Sequence, residues 1–362
     1  MLNIAGHQIR LCNPTFNRLG VRTDADASLP YYSHSIMEAI NTCPKWGLIR
    51  YKERKYYKAN FRALALEAGS AMHEVFAALR LWQLKRIQGM EDHFRHHGIR
   101  IFGETRLDAC FFNKADLRDE ALSFCFEILN SGEYYDDPSD SIRTMSNMEE
   151  TTIRYVDEQM SVMDKNDIWI ADPQDPTAPV GIENTLDMVV DETIRFIGTI
   201  DGTVFNKTTN KIRNEENKTA SRLDEAWREK FRVNQQPTGY MLLATLYLNQ
   251  LIDSSKIIGI KIKQTRSHED YRSFVETRNE HHFKKFFHSL FATHDLATRY
   301  AGDYLHAPMY THSCSRYFRP CGFIDLCAAE DEDDELDIYN SMERTPLSPS
   351  EQAVIGVLPD EE

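Results

Sequence analysis

Apolar residues recur at helical spacing along much of the first 165 residues of the chain. In the stretch 67–87, EAGSAMHEVFAALRLWQLKRI, they return every three or four positions, which is typical of a helix with one face in a core. The stretch 33–57 has a serine N-cap candidate ahead of the same spacing and predicts another helix. We expect further helices at about 114–131 and 146–164.

The pattern changes near residue 180, where runs rich in β-branched residues are separated by the turn-like segments DET and NKTTNK. These runs predict a meander of three strands. Helical spacing then returns, followed by one more strand and a final long helix. The predicted ranges are strands at 182–190, 194–206 and 211–218, helix over 223–251, strand at 255–264 and helix at 276–300. This order predicts an α/β protein.

The formal charge of −14 is concentrated at one end of the chain. The segment 328–362 contains twelve acidic residues and one basic residue, so the rest of the chain is nearly neutral and remains compatible with a nucleic-acid partner. Because this segment is polar, self-repelling and contains proline and serine, we expect a disordered acidic tail.

The sequence also bears on the compartment. No stretch approaches the roughly 18 consecutive apolar residues of a membrane span, and the first thirty residues lack the pattern of a signal peptide. We therefore expect a cytoplasmic protein without a membrane partner. Its odd count of seven cysteines favours metal binding, catalysis or burial over disulfides.

Three of these cysteines, Cys314, Cys321 and Cys327, lie within fourteen residues. A structural metal site or cluster normally takes four thiolates, so a fourth cysteine must come from elsewhere. Four thiolates suit either zinc or an iron–sulfur cluster, and this spacing alone leaves both open.

A second group of residues indicates metal chemistry in the strand region. Asp201 follows an apolar run, and Glu216 and Lys218 flank Asn217 in the next predicted strand. Alternation along a strand puts Glu216 and Lys218 on one face, and an antiparallel neighbour can bring Asp201 beside them. Two carboxylates and an ammonium suit a Mg²⁺ or Mn²⁺ ion that polarises a phosphodiester. We consider Asn217 a further metal residue, and Glu183 a candidate from the preceding strand.

Asp201 with Glu216-Asn217-Lys218 resembles the D…ExK core of the PD-(D/E)xK nuclease superfamily, in its RecB-like branch. That branch has a histidine in an upstream helix and a QxxxY signature in the helix after the core. Its iron–sulfur members, such as the CRISPR-associated RecB-like exonucleases and the AddB helicase-nuclease subunit, ligate a [4Fe-4S] cluster with one cysteine before the core and three after it. The positions matching these features are His73 as metal ligand, Gln236 and Tyr240 as catalytic signature, and Cys43, Cys314, Cys321 and Cys327 as cluster ligands.

The resemblance implies a restriction-endonuclease-like core, a mixed central sheet flanked by helices, with a helical N-terminal part and a cluster-ligating segment. A single nuclease domain would span 33–327, with a helical region at 67–165 and a catalytic core at 180–265, between an irregular segment 1–32 and the tail. It implies a Mg²⁺- or Mn²⁺-dependent deoxyribonuclease, with exonuclease activity as the expected mode, acting on single-stranded DNA or duplex ends. Recombination, repair or phage DNA metabolism in a bacterial or phage-infected cell would be its setting.

Two alternatives remain open. The strand KIRNEENKTA is more polar than the corresponding strand of the family, which suggests a nuclease-fold DNA-binding protein without catalysis. The six residues between Cys314 and Cys321 exceed the usual spacing of the family, a difference that an insertion loop would absorb. The second alternative is a zinc-stabilised scaffold whose acidic tail recruits a protein partner, since four thiolates serve either metal. Within that polar strand, Glu215 competes with Glu216, but it would lie on the face opposite Lys218.

The stretch 45–62 carries seven basic residues and one acid, interleaved with aromatic rings. Such a segment can follow phosphates while its rings stack on bases, and we prefer this to a solvated helix face. The acidic tail either competes with DNA for this stretch or serves as a separate appendage that docks a protein partner.

Overall fold

The computed structural model of the chain describes residues 1–16, 21–56, 64–110, 116–263, 268–316 and 319–344, together with positions 352 and 355. The helices are α1 His34–Thr42, α2 Pro44–Tyr51, α3 Leu64–Arg86, α4 Glu91–Phe102, α5 Glu104–Asp108, α6 Leu117–Asn130, α7 Met145–Asn166, α8 Glu225–Glu229, α9 Gln235–Leu248, α10 Glu280–Arg299, α11 Ile324–Cys327 and α12 Glu332–Asn340. The strands are β1 Leu2–Ile4, β2 His7–Leu11, β3 Tyr31–Tyr32, β4 Lys55–Tyr56, β5 Asp167–Trp169, β6 Ile182–Val190, β7 Ile194–Asn206, β8 Lys211–Thr219, β9 Ser254–Ile260, β10 Tyr271–Thr277, β11 Ser315–Arg316, β12 Arg319–Pro320 and β13 Glu343–Arg344. The protein is α/β, with a mixed sheet flanked by helices, as its sequence predicts.

The contacts divide the chain into two compact units, whereas the sequence predicts one domain over 33–327. The first unit comprises Met1–Arg62, Thr185–Gly198 and Asn279–Glu362, and the second comprises Ala63–Asn184 and Thr199–Arg278. Strands β6 and β7 contribute residues to both units because the boundaries 184/185 and 198/199 fall inside these two strands. The predicted catalytic residues belong to the second unit, and the four predicted cluster cysteines belong to the first.

In the second unit, β7 pairs antiparallel with β8, β8 parallel with β9, and β9 antiparallel with β10. Strand β5 pairs with β7 on the other side. The parallel β8–β9 pair requires a crossover, which α8 and α9 supply. Helices α3, α6 and α7 bury a core that includes Phe76, Trp82, Phe124 and Tyr155. This core supports α3 beside the sheet, and α3 carries His73.

In the first unit, β1, β2 and β6 form an antiparallel series, and β3 pairs parallel with β7. The segment 1–32, predicted to be irregular, therefore contains three strands. A buried ion pair supports them: Asp187 Oδ2 accepts hydrogen bonds from Arg22 at 2.6 Å and from Arg195 at 2.8 Å. The apolar pattern did not reveal these strands because they are short and carry polar residues.

The predicted helix 33–57 is two helices, α1 and α2, with Cys43 between them. Pro44 is the first residue of α2, a position where its missing N–H costs no helical hydrogen bond. The two helices approach so closely that a Cβ on Gly47 would lie 2.4 Å from the backbone nitrogen of Ile40. This packing fixes Cys43 in a short buried corner. Residues 57–62 of the predicted basic stretch lie outside the described residues.

The three meander strands, helices α3, α6, α7 and α10, and strand β9 lie close to their predicted positions. Strand β10 was missed, and the tail differs from its prediction, because Glu332–Asn340 forms α12. Asp331 caps this helix by accepting a hydrogen bond from the Asp334 N–H at 2.8 Å. The tail positions 345–351, 353, 354 and 356–362 lie outside the described residues. Among the helices described, none is long and apolar enough to cross a membrane.

Candidate metal centre

The pairing of β7 with β8 places Asp201 next to the predicted ExK residues. Gly202 lies opposite Glu215 in the register, so Asp201 adjoins the following residues of β8. The Asp201 Oδ2 atom accepts a hydrogen bond from the Asn217 N–H at 2.8 Å. Gly202 allows this strand to pass close to Trp169, since an added Cβ would lie 2.8 Å from the indole ring. The predicted antiparallel arrangement is therefore present.

Glu183 enters the same region from β6 with an unusual backbone. Its φ is +46°, in the left-handed region that non-glycine residues rarely adopt. Arg100 donates hydrogen bonds to the carbonyls of Glu183 at 2.9 Å and Ile182 at 3.1 Å, which holds this conformation in place. Backbone strain of this kind is often kept where it directs a functional side chain. Here it accompanies a carboxylate that contributes to the candidate site.

Three side chains from three elements form a group suited to a metal ion. The ligand atoms of His73, Glu183 and Asp201 all lie within 4.8 Å of one another, and His73 Nδ1 is 3.7 Å from Asp201 Oδ2. The Glu183 Oε1 atom is buried and accepts no hydrogen bond from the residues described here. Two carboxylates and an imidazole with an unsatisfied buried oxygen fit a divalent cation. The sequence singled out all three residues.

Glu216 and Lys218 lie beside this group on β8. Lys218 Nζ is 2.5 Å from Glu216 Oε1, and Glu216 is only 2% exposed. Both side chains project from the same face of the strand, as alternation predicts. The ammonium is thus held next to the carboxylates by an ion pair within the strand.

The carboxylates strongly affect one another. Burial, followed by the charge of Asp201, raises the pKa of Glu183 to about 8. The same two causes raise the pKa of Glu216 to about 7. Burial lowers the pKa of His73, whereas the pKa of Lys218 is raised because the charges of Glu216 and Asp201 outweigh its burial. These two carboxyls therefore keep their protons to a higher pH than free glutamates do, and a bound cation would favour their ionised form.

The QxxxY pair lies on α9, with Gln236 Nε2 donating to the Tyr240 hydroxyl at 3.1 Å. Burial, followed by the charge of Glu216, raises the pKa of Tyr240. The Tyr240 hydroxyl is therefore neutral at ordinary pH and can serve as a hydrogen-bonding group.

Arg80 is a residue of this region that the sequence reasoning missed. It is 1% exposed, donates to the Asp201 carbonyl at 2.5 Å, and lies 3.9 Å from Glu183 Oε1. Its charge partly offsets the upward shift in the pKa of Glu183. The sequence signal was present, because Arg80 interrupts the apolar run AALRLW and lies seven residues, or two helical turns, after His73.

The other face of β8 holds residues that the metal group does not include. Glu215 Oε1 lies 3.5 Å from Lys256 Nζ and 3.7 Å from Arg213. The Asn217 carboxamide, with its oxygen turned toward Arg80, accepts a hydrogen bond from that guanidinium. The predicted metal role of Asn217 therefore does not extend to its side chain, because alternation directs it away from Glu216 and Lys218.

No protein-family model and no curated protein matches this chain.

The four predicted cluster cysteines all belong to the first unit. Strands β11 and β12 form a hairpin between Cys314 and Cys321, and the Cys321 N–H donates to the Cys314 carbonyl at 2.7 Å. This hairpin accounts for the wide spacing of these two cysteines. Burial, and then the charges of the other three thiols, raise the pKa of Cys327 to about 11, although Lys45 opposes this. Among the described residues, no cysteine belongs to a group of three ligand atoms within 4.8 Å.

Proposed function

We propose that this protein is a Mg²⁺- or Mn²⁺-dependent deoxyribonuclease of the PD-(D/E)xK type, with a restriction-endonuclease-like core and exonuclease activity. The observation that carries the proposal is the convergence of His73, Glu183 and Asp201 within 4.8 Å, next to an ion-paired Glu216 and Lys218. The order of these residues along the chain supports the RecB-like resemblance. DNA recombination, repair or phage DNA metabolism in the cytoplasm is the setting that this resemblance implies.

Each residue has a role that follows from its position. His73, Glu183 and Asp201 would hold the ion, which when bound polarises a phosphodiester and makes water a better nucleophile. Glu216 anchors the Lys218 ammonium, which can donate a hydrogen bond to a phosphate oxygen and offset charge that develops there. Arg80 supports the Asp201 backbone from behind and compensates the carboxylates. Gln236 and Tyr240 offer hydrogen bonds on the substrate side.

We also propose that Cys43, Cys314, Cys321 and Cys327 hold a [4Fe-4S] cluster. Thiolates are the ligands such a cluster takes, and the hydrogen bond from the Cys321 N–H to the Cys314 carbonyl holds two of the four cysteines close together. The cluster would join the corner between α1 and α2 to the C-terminal hairpin and α11. Metal–thiolate binding would then contribute directly to the stability of the first unit.

Digestion of end-labelled DNA tests the nuclease proposal. Wild type should degrade single-stranded or duplex DNA with Mn²⁺ but not with EDTA, and Lys218→Met should reduce the rate by at least about 100-fold. Lys256→Met is a matched control, because it also removes an ammonium beside a glutamate of β8, but on the opposite face. Cleavage by Lys218→Met at the wild-type rate, or no cleavage by wild type under either condition, would contradict the proposal.

A further inference from the structure

The acidic helix α12 covers part of the basic stretch within the first unit. Glu335 forms an ion pair with Lys45. The Lys55 ammonium donates to the Tyr339 carbonyl at 3.1 Å and lies 3.6 Å from the centre of the Tyr339 ring. The Tyr339 hydroxyl in turn donates to Glu53 at 3.1 Å. The contacts of α12 with this surface are thus mainly polar and charged.

Apolar contacts and a short strand pair complete the attachment. Ile338 and Tyr339 pack with Met342 in a small cluster that also contains Ile49 and Trp46. Strand β13 pairs with β4 over two residues only. The outer face of α12 keeps its acidic residues exposed. An attachment of this size can form and dissociate without unfolding the rest of the unit.

The covered surface has the chemistry of a nucleic-acid site. With α12 in place Lys45 is 5% exposed and forms an ion pair with Glu335, so a phosphate can pair with its ammonium only after α12 has moved away. Lys55 adds a second cation, and the ring of Trp46 lies in the same cluster. Cations that pair with phosphates next to aromatic rings that stack on bases are the usual components of single-strand binding surfaces.

We propose that α12 is an intramolecular mimic of a nucleic-acid backbone, which occupies a binding surface for single-stranded DNA formed by Lys45, Lys55 and Trp46. The identification of DNA as the ligand of this surface rests on the proposed nuclease function. The charge complementarity between α12 and the surface does not depend on that function. A tethered anion competes with DNA at a high effective concentration. The apparent affinity for DNA is therefore the intrinsic affinity multiplied by the fraction of molecules in which α12 is undocked. Salt weakens both contacts because both depend on screened charge.

The test uses two full-length variants with the same change in charge. Glu335→Lys places a second ammonium group against that of Lys45, on the docked face of α12. Asp337→Lys makes the same change of charge on the exposed face of the same helix. Binding of a fluorescein-labelled single-stranded oligonucleotide is measured by anisotropy in EDTA, which prevents cleavage. At low salt Glu335→Lys should bind roughly tenfold more tightly than Asp337→Lys, with the advantage shrinking as salt rises.

Hydrogen exchange reports docking independently of DNA. Amides of α12 should exchange faster in Glu335→Lys than in Asp337→Lys, and DNA should accelerate their exchange in wild type. The proposal would be overturned if α12 exchanged faster in Glu335→Lys but the two variants bound DNA with equal affinity across the salt titration. It would also be overturned if the two variants showed equal exchange and equal affinity. Release of α12 by a protein but not by DNA would also overturn it. A protein that shows the expected binding difference but never cleaves DNA would contradict only the nuclease proposal.

Discussion

Removal of the Glu183 carboxylate should stabilise the metal-free protein at alkaline pH. Burial and the neighbouring charge of Asp201 raise the pKa of Glu183 from 4.5 to about 8. The folded chain therefore retains this proton after the unfolded chain has lost it. The resulting stability is fully present below the unfolded pKa of 4.5 and is lost as the pH rises through the folded pKa of about 8. Glu183→Gln cannot ionise, so it should remove this loss.

The size of the effect follows from the proton difference. Over most of the interval from about pH 5 to about pH 8, the folded chain holds nearly one more proton at this site than the unfolded chain. Each pH unit then lowers the free energy of unfolding by about 1.4 kcal/mol, and since the proton difference is smaller at both ends of the interval, the loss from pH 5 to pH 8 is roughly 3.5 kcal/mol. Wild type should therefore lose roughly 3.5 kcal/mol more than Glu183→Gln between these two pH values.

Urea denaturation in EDTA, followed by circular dichroism at both pH values, measures this difference. Glu127→Gln, which changes an exposed glutamate in the same way, should retain the wild-type pH dependence. Added Mn²⁺ should stabilise wild type at the higher pH and have less effect on Glu183→Gln, because ligands that bind the folded state stabilise it. Parallel pH dependences in wild type and Glu183→Gln would refute the electrostatic account of the site.

The remaining predictions concern β8, Arg80 and the thiols. Glu216→Gln should lower the Mn²⁺-dependent cleavage rate by at least about 100-fold, because it removes the carboxylate that holds the Lys218 ammonium. Glu215→Gln, on the opposite face of β8, should change the rate by less than about threefold. Equal losses in the two variants would contradict the assignment of the two faces. Arg80→Met should reduce the free energy of unfolding by roughly 3–5 kcal/mol, because it leaves buried carboxylates without their cation. A loss below about 1 kcal/mol in urea denaturation would contradict this role of Arg80. Cys43→Ser should give protein without iron and sulfide by chemical analysis, whereas zinc without iron in anaerobically purified wild type would exclude the cluster.

The core of the site was predictable because strand periodicity is a local property. The alternation around Asn217 places Glu216 and Lys218 on one face whatever the rest of the fold does. An antiparallel meander then brings Asp201 beside them, and the structure has this pairing. The helical histidine could be recognised only through the family resemblance, because nothing local distinguishes His73 from a histidine at the polar edge of a helix.

Other features depend on contacts between distant segments. The left-handed backbone of Glu183 and the position of Arg80 behind Asp201 arise from packing across the sheet, which a linear pattern does not encode. Composition favoured disorder for the acidic tail, but three apolar residues, Ile338, Tyr339 and Met342, suffice to dock α12 on a basic surface. Charge complementarity between residues 290 positions apart thus outweighed the local prediction.

Anomalous diffraction from crystals grown with Mn²⁺ shows whether these three side chains hold a metal ion. We expect a manganese peak at ordinary coordination distance, about 2.1 Å, from His73, Glu183 and Asp201 in wild type, and its loss in Asp201→Asn. No peak at these three residues, or an undiminished peak in Asp201→Asn, would contradict it.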